Sequence, residues 1–162
     1  MESSIERKEW KYWEDRRTNN RVKTEDKPMN YVEKANELHK KGYNCAQAVF
    51  CAFSDVLELD EVTAYKIAEG FGSGMGGQFE TCGALTGAYM VISMHNSDGT
   101  LGSKKTRPMT YQMFKEASAR FRETAKSTLC REIKGMTGGP VLRSCAGCVT
   151  DAAQIVVDIL KL

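Results

Sequence analysis

Proline is scarce in this sequence, with three residues in 162, and no stretch alternates Val, Ile and Thr in the way that predicts a half-buried β-strand. The longest apolar run, residues 82–94, is shorter than the roughly 20 residues that a membrane-spanning helix needs. These absences favour a helical protein and argue against a transmembrane segment.

Neither sign of charge predominates, because 27% of the residues are charged but the formal net charge is only +2. No global field therefore favours nucleic acid as a partner. The N-terminus is charged and has no apolar segment of the kind found in secretory signals. We expect a cytoplasmic protein with neither a nucleic-acid nor a membrane partner.

The length is that of one domain with a sizeable core. Residues 1–28 form a charged N-terminal extension, in which Trp10 and Trp13 lie one helical turn apart. We expect either a short helix over residues 4–17 or a loosely ordered tail. Tryptophans that pack on a second subunit would make the protein a homodimer. Residues 29–162 are predicted to form a cysteine-containing helical domain.

Apolar residues at helical spacing predict a succession of helices after Pro28, with Asn44 and Asp60 as N-caps and Gly42 as a terminator. The predicted inward faces are Tyr31, Ala35 and Leu38; Cys45, Val49, Ala52, Phe53 and Val56; Ala64, Ile67, Ala68 and Phe71; Tyr111, Phe114, Ser118, Phe121, Ala125 and Thr128; and Cys145, Cys148, Val149, Ala152, Val156 and Ile159. Cys51 falls off its stripe and is expected to face another element or solvent. The pattern predicts an all-α, single-domain bundle of six or seven helices.

Two connections are less regular in this pattern. The stretch from His95 to Pro108 is polar and is predicted to be a surface loop. The helix that follows it is predicted to run as far as Cys130 or slightly past it. A second loop covers residues 136–144, which contain Gly-Gly-Pro.

Residues 70–87 hold seven glycines and lead into an apolar segment that begins at Cys82. The composition predicts a Gly-rich loop followed by a central buried helix. The loop contains the letters GxGxxG, but a dinucleotide fingerprint requires a preceding strand, and the preceding residues are helical. We therefore give these glycines a different role, with Gly74, Gly76, Gly77 and Gly83 placing backbone N–H groups close to a cofactor.

The six cysteines are the residues that carry chemistry. Cys45, Cys82, Cys130 and Cys145 come from different segments, and each lies near a predicted helix end, where the loops of a bundle converge. A thiol at a helix N-terminus has a lowered pKa, and we expect this of Cys82 and Cys145. Cys145 also forms a CxxC pair with Cys148, which can bind one ion or form a local disulfide. The alternative is that these are buried structural thiols.

The order of four segments, GYNCAQAVFCAF, AEGFGSGMGGQFETCGALTGAYMVI, FKEASARFRETAKSTLCREIKG and CAGCVTDAAQIVVDIL, resembles a family of redox-active proteins with four cysteines and a CGAxxG motif. The resemblance covers about residues 30–161. It implies that the four family cysteines are Cys45, Cys82, Cys130 and Cys145, with Cys51 and Cys148 as additional residues. Similar domains occur fused to c-type haem modules, which implies an iron–sulfur centre at the cysteine site.

Three hypotheses follow. In the first, Cys45, Cys82, Cys130 and Cys145 bind a [2Fe–2S] or [4Fe–4S] cluster for electron transfer, which aerobic purification would remove. In the second, Cys82 is the attacking thiol of a thiol–disulfide redox protein, and Cys45, Cys130 or Cys145 is the thiol that resolves the mixed disulfide. In the third, the same four residues bind a structural zinc ion in an interaction module. The sequence does not name the redox partner or decide whether the protein is an enzyme.

Overall fold

The structure, a computed structural model, describes residues 30–162 as a bundle of helices. In chain order these are α1 (Tyr31–Lys40), α2 (Cys45–Ala52), α3 (Glu61–Ala68), α4 (Gly72–Met75), α5 (Gly83–Asn96), α6 (Arg107–Ala125), α7 (Cys130–Ile133) and α8 (Cys145–Leu160), with a 3-10 turn at Glu69–Phe71. Within these residues the β-structure is limited to one antiparallel bridge between Thr81 and Leu129. The all-α prediction is confirmed. The predicted helix over residues 4–17, with its two tryptophans, lies outside the described part of the chain.

Side-chain caps set the starts of several helices. The Asn44 side chain accepts hydrogen bonds from the backbone of Ala46 and Gln47, and the Gln47 side chain accepts one from the Asn44 N–H in return. This capping box fixes the first turn of α2. Asp60 caps α3 and Ser144 caps α8 in the same general manner. The predicted caps at residues 44 and 60 are therefore confirmed.

Helix α5 lies at the centre of the bundle and packs against α2, α6 and α8, while α8 also contacts α1, α2 and α6. The contact with α2 is close because α5 has a glycine there: a Cβ atom at Gly87 would lie 2.8 Å from the Ala46 carbonyl oxygen. The core residues of α5 are fully buried, among them Leu85, Val91 and Ile92. The prediction of a central buried helix after the Gly-rich segment is confirmed. No helix in residues 30–162 has the length and apolar character needed to cross a bilayer.

The prediction that one helix continues to Cys130 is wrong. Helix α6 ends at Ala125, and Lys126 follows it in the left-handed conformation with φ of 64°. The chain then forms the bridge to Thr81 and begins a separate one-turn helix, α7, at Cys130. This break places Cys130 at the start of a helix rather than at the end of one.

Two smaller predictions also differ from the structure. His95 belongs to the last turn of α5, which continues because the buried Asn96 side chain donates hydrogen bonds to Thr106 and Thr110. Ile67 and Tyr111 are 47% and 58% exposed, because their helices lie at the edge of the bundle and bury narrower stripes. Residues 70–87 include the 3-10 turn and α4, and the positive φ values of Ser73, Gly74 and Met75 agree with the predicted Gly-rich loop.

Candidate functional site

Five of the six cysteines line one small pocket, which we call the cysteine pocket. Its lining residues are Cys45, Ser73, Cys82, Cys130, Ile133, Lys134, Cys145 and Cys148. Its volume is about 30 Å³, room for one or two water molecules. The structure therefore brings together all four cysteines that the sequence singled out, and it adds Cys148. The remaining thiol, Cys51, is fully buried in the core. Of the two surroundings that the sequence predicted for it, another element or solvent, the structure therefore excludes solvent.

Helix starts surround the pocket. Cys45, Cys130 and Cys145 are the first residues of α2, α7 and α8, and Cys82 is the N-cap residue of α5. The first backbone N–H groups of a helix have no partner within the helix and form its positive end. This polarity of the helix ends opposes the effect of burial, which favours the uncharged form of a thiol. The predicted convergence of cysteines at helix ends is confirmed, and the ends are all N-terminal.

Backbone hydrogen bonds hold Cys82 and Cys130 side by side. The Cys82 N–H donates to the Thr128 carbonyl over 2.8 Å, and the Cys130 N–H donates to the Glu80 carbonyl over 2.6 Å. These bonds belong to the bridge that the end of α6 makes possible. An ion pair between Arg131 and Glu80, with 2.6 Å between nitrogen and oxygen, joins the same two segments at the surface. The two thiols therefore have a fixed relation although 48 positions separate them in the chain.

Cys45 is positioned through its neighbour Asn44. The Asn44 amide nitrogen donates to the Glu69 carbonyl over 2.9 Å, which ties the start of α2 to the 3-10 turn before α4. Gly72 lies directly against that amide, since a Cβ atom at Gly72 would be 2.5 Å from the Asn44 Cγ atom. The first residues of α4 thus lie next to Cys45, and Ser73 lines the pocket.

Two of the four predicted cofactor-binding glycines make room for pocket cysteines. A Cβ atom at Gly83 would lie 2.5 Å from the Cys45 sulfur, and one at Gly74 would lie 2.6 Å from the Cys130 Cβ atom. Gly74 also has φ of 65°, which disfavours a side chain. Gly76 and Gly77 have positive φ values in the turn after α4 and do not line the pocket. The predicted role of these glycines in binding a cofactor stays a prediction.

Cys82 and Cys148 interact directly. The Cys148 thiol donates a hydrogen bond to the Cys82 sulfur, and this bond lowers the pKa of Cys82 to about 7, against the effect of burial. Backbone N–H groups of Leu85 and Ala84 and the positive charge of Lys134 act in the same direction. The same hydrogen bond, together with burial, raises the pKa of Cys148. Of Cys45, Cys82, Cys130 and Cys148, only Cys82 therefore has a lowered pKa, and Cys148 is its proton-bearing neighbour.

The other pocket thiols have different surroundings. Burial raises the pKa of Cys45, and it raises the pKa of Cys130 to about 11. Cys82 and Cys148 are 6% and 2% exposed, whereas Cys145 is exposed to solvent. The pocket thus has buried thiols at its base and one exposed thiol at its rim.

The donor set of the pocket is chemically suited to a cluster or to zinc, because thiolates are the ligands of both. The side chains are not arranged for it, however: in the part of the chain that the structure describes, no three Cys, His, Asp or Glu residues form a group that could hold a metal ion. Ligation would require several thiols to turn toward a common point.

Sequence reasoning set aside Cys148 and did not identify Lys134. The signal for Cys148 was present, because residues three apart on a helix share a face, and Cys145 was already a candidate. Lys134 follows α7, and its ammonium lies 5.7 Å from the centre of the Phe79 ring, which directs it along the pocket wall. The position of Lys134 beside the pocket depends on the end of α6 at Ala125. No sequence pattern indicated that end.

Comparison with curated proteins and with solved structures yields no match. A family model does match residues 43–159, which is more than half of the chain, and its description reads "Putative redox-active protein (C_GCAxxG_C_C)". The motif of this description corresponds to residues 82–87, where the chain reads Cys-Gly-Ala-Leu-Thr-Gly, with Cys and Gly in the opposite order to the letters of the description. The match contains all six cysteines and every residue of the cysteine pocket. The chain therefore belongs to the family described as redox-active proteins with this cysteine motif.

Proposed function

We propose that the protein is a thiol–disulfide redox protein in which Cys82 and Cys148 interconvert between two thiols and a disulfide. The observation that carries this proposal is that Cys82 and Cys148 line one small pocket, in which the Cys148 side chain is the main cause that lowers the pKa of Cys82 to about 7. Disulfide exchange needs two close sulfurs, one of them ionised near neutral pH. The redox partner is then a disulfide or dithiol compound, small or carried by a protein.

The chemistry balances with such a partner. One thiolate of the pair attacks a sulfur of the partner disulfide, which forms a mixed disulfide and releases one partner thiolate. The second cysteine attacks the protein sulfur of that mixed disulfide and releases the second partner thiolate. The two protons lost by Cys82 and Cys148 go to the two leaving thiolates. The partner gains two electrons, and a dithiol of lower potential returns them to the pair.

A redox titration tests the proposal. The protein is equilibrated in buffers with increasing ratios of oxidised to reduced glutathione, its free thiols are alkylated, and each cysteine is quantified by mass spectrometry. We expect Cys82 and Cys148 to lose reactivity together in one two-electron transition. Cys148→Ala should abolish the transition of Cys82, whereas Cys51→Ala, a variant of the core thiol outside the pocket, should leave the joint transition unchanged. Independent behaviour of the two thiols, or an equal effect of both variants, would contradict the proposal.

An iron–sulfur centre is the second candidate, and one observation favours it: Cys45, Cys82, Cys130 and Cys145 line one pocket although they come from four helices. These four residues would hold the cluster, which would supply one-electron transfer when bound. A zinc ion on the same residues would instead stabilise the fold. Either group requires the thiols to leave the arrangement described above.

Purification without oxygen distinguishes the candidates. The measurements are a visible spectrum and the content of iron, acid-labile sulfide and zinc per chain. Iron and sulfide close to whole numbers, with a brown colour, would support the cluster. Stoichiometric zinc without colour would support the structural metal. A colourless protein without either metal, with Cys82 present as a free thiol after reduction, is the result expected for a thiol–disulfide protein.

A further inference from the structure

The sulfur pair of the proposed function is shielded from large molecules. Cys82 is 6% exposed and Cys148 is 2% exposed. The pocket above them has room for one or two water molecules. A thiolate attacks a disulfide along the line of its S–S bond, so both partner sulfurs must come close to the reacting thiolate. A disulfide-containing molecule does not fit into this space, and direct exchange with the buried pair is hindered.

Cys145 has the access that the pair lacks. It is exposed, it is the first residue of α8, and it lines the same pocket as the pair. Cys148 follows it three residues later in the same helix. In an α-helix, Cα atoms at this spacing lie about 5 Å apart, a distance that a disulfide can bridge. Cys148 is therefore within reach of Cys145 on one side and of Cys82 on the other.

We propose that Cys145 is the thiol that reacts with external disulfides and that Cys148 passes the disulfide bond inward to Cys82. This proposal rests on the proposed function and adds the route by which the buried pair exchanges electrons with its partner. The substrate class is a solvent-accessible disulfide, such as that of a small thiol compound or of an exposed peptide segment.

The relay consists of three exchanges. The Cys145 thiolate attacks the external disulfide, forms a mixed disulfide and releases the first external thiolate. Cys148 attacks the Cys145 sulfur, forms the Cys145–Cys148 disulfide and releases the second external thiolate. Cys82 then attacks the Cys148 sulfur, forms the Cys82–Cys148 disulfide and releases Cys145 as a thiolate. Each leaving thiolate takes up the proton given up by an attacking thiol, and the external disulfide is reduced by two electrons.

The local structure keeps Cys145 in place for this role. The Ser144 side chain accepts a hydrogen bond from the Gly147 N–H over 3.0 Å and so fixes the first turn of α8. Arg143 lies beside this turn and forms two hydrogen bonds, of 2.9 and 2.8 Å, to the Asp151 carboxylate. The two cysteines of the helix are thus held at a constant separation, while the Cys145 side chain stays in solvent.

The kinetic test compares the wild type with Cys145→Ser and Cys51→Ala. Each reduced protein is mixed with oxidised glutathione, and the formation of the Cys82–Cys148 disulfide is followed by quenching with acid and alkylation. We expect Cys145→Ser to slow this step at least tenfold and Cys51→Ala to leave it unchanged. The equilibrium position of the pair in glutathione buffers should be the same in all three proteins. A Cys145→Ser protein that oxidises at the wild-type rate would overturn the relay.

Trapping provides the second test. With one equivalent of oxidised glutathione, Cys148→Ala should accumulate a glutathione adduct on Cys145, because no second thiol resolves it. Cys82→Ser should stop one step later, with the disulfide between Cys145 and Cys148. An adduct on the half-buried Cys45 in the first variant would show that another thiol receives the partner, and it would overturn the proposal. Circular dichroism and thermal unfolding confirm that each variant is folded.

The two proposals fail in different ways. If Cys145→Ser oxidises quickly and the pair still forms, the relay is wrong and the proposed function stands. If no disulfide between Cys82 and Cys148 forms in any protein at equilibrium, the proposed function is wrong and the relay is wrong with it. Because Cys145 is exposed, its replacement is expected to leave the fold intact, so the kinetic comparison does not depend on a destabilised variant.

Discussion

The sulfur of Cys45 occupies the space that a side chain at Gly83 would need, since a Cβ atom there would lie 2.5 Å from it. The Phe71 carbonyl oxygen would lie 2.8 Å from the same Cβ atom. The second residue of the family motif therefore has a steric role: it lets the start of α5 approach the first thiol of α2 and the turn before α4. The motif glycine and the cysteine of a different helix act as one packing unit.

This relationship predicts the effect of Gly83→Ala. The added methyl group must displace either the Cys45 side chain or the backbone at Phe71, and we expect a loss of about 1–3 kcal/mol in the free energy of unfolding. Urea denaturation measures it. Gly70→Ala is the matched control, because a Cβ atom at Gly70 meets nothing within 4 Å and its φ is not positive. Equal stability of the two variants would contradict the steric account.

Asn44→Ala removes the cap of α2 and its link to the 3-10 turn. Two backbone N–H groups lose their acceptor and the Glu69 carbonyl loses its donor, so we expect a cost of about 1–2 kcal/mol. Asn30→Ala, at the exposed cap of α1 with one such bond, should cost less. Asn44→Asp keeps the acceptor and should recover part of the loss. A larger effect at Asn30 would show that the cap of α2 is unimportant.

The pKa of Cys82 predicts how its reactivity depends on pH. Because this pKa is lowered to about 7, Cys82 is mainly thiolate above pH 7 and mainly thiol below it. The thiolate absorbance that is lost in Cys82→Ser should therefore rise to half of its maximum near pH 7 in the native protein, and near pH ~8.5 in the urea-unfolded chain. Cys148→Ala removes the donated hydrogen bond and should move the native midpoint to higher pH. An unchanged midpoint in that variant would disprove the interaction between the two thiols.

The ion pair between Arg143 and Asp151 is expected to matter for stability. The Asp151 side chain is 11% exposed, so Arg143→Ala leaves a mostly buried carboxylate without its two hydrogen bonds, at a cost of about 1–2 kcal/mol. Arg131→Ala breaks a pair with Glu80 in which both side chains are more than 40% exposed, and it should cost about 0–1 kcal/mol. Thermal unfolding of both variants at low and at moderate salt measures the difference. The opposite order would contradict the burial argument.

Local signals in the sequence were sufficient to predict much of this fold. Asn44 and Asp60 are strong N-cap residues. Apolar residues such as Val49 and Ala52 recur at the spacing of one face of an α-helix. The end of α6 could not be found in this way, because Lys126 adopts the left-handed conformation without being glycine or asparagine. The segment that follows Lys126 is held by hydrogen bonds of Thr128 and Cys130 with residues 82 and 80, far away in the chain.

The site was predictable to a similar extent. Four cysteines near helix ends suggested a shared pocket, and the pocket exists. The contact between Cys82 and Cys148 was not visible, because it depends on how α5 and α8 cross, which periodicity does not determine. The exposure of Cys145 and the burial of Cys148 follow from the same crossing, although the two residues share one helix face.

The most direct test of the account is to locate the disulfide bond that forms when the reduced protein is oxidised mildly. Cleavage after lysine and arginine places Cys82 in the peptide 67–104 and both Cys145 and Cys148 in the peptide 144–161, so the experiment uses wild type and Cys145→Ser side by side. The account predicts that the two peptides are linked in both proteins, which identifies Cys148 as the partner of Cys82. A link from peptide 67–104 to Cys45 or Cys130, or none in the Cys145→Ser protein, would contradict it.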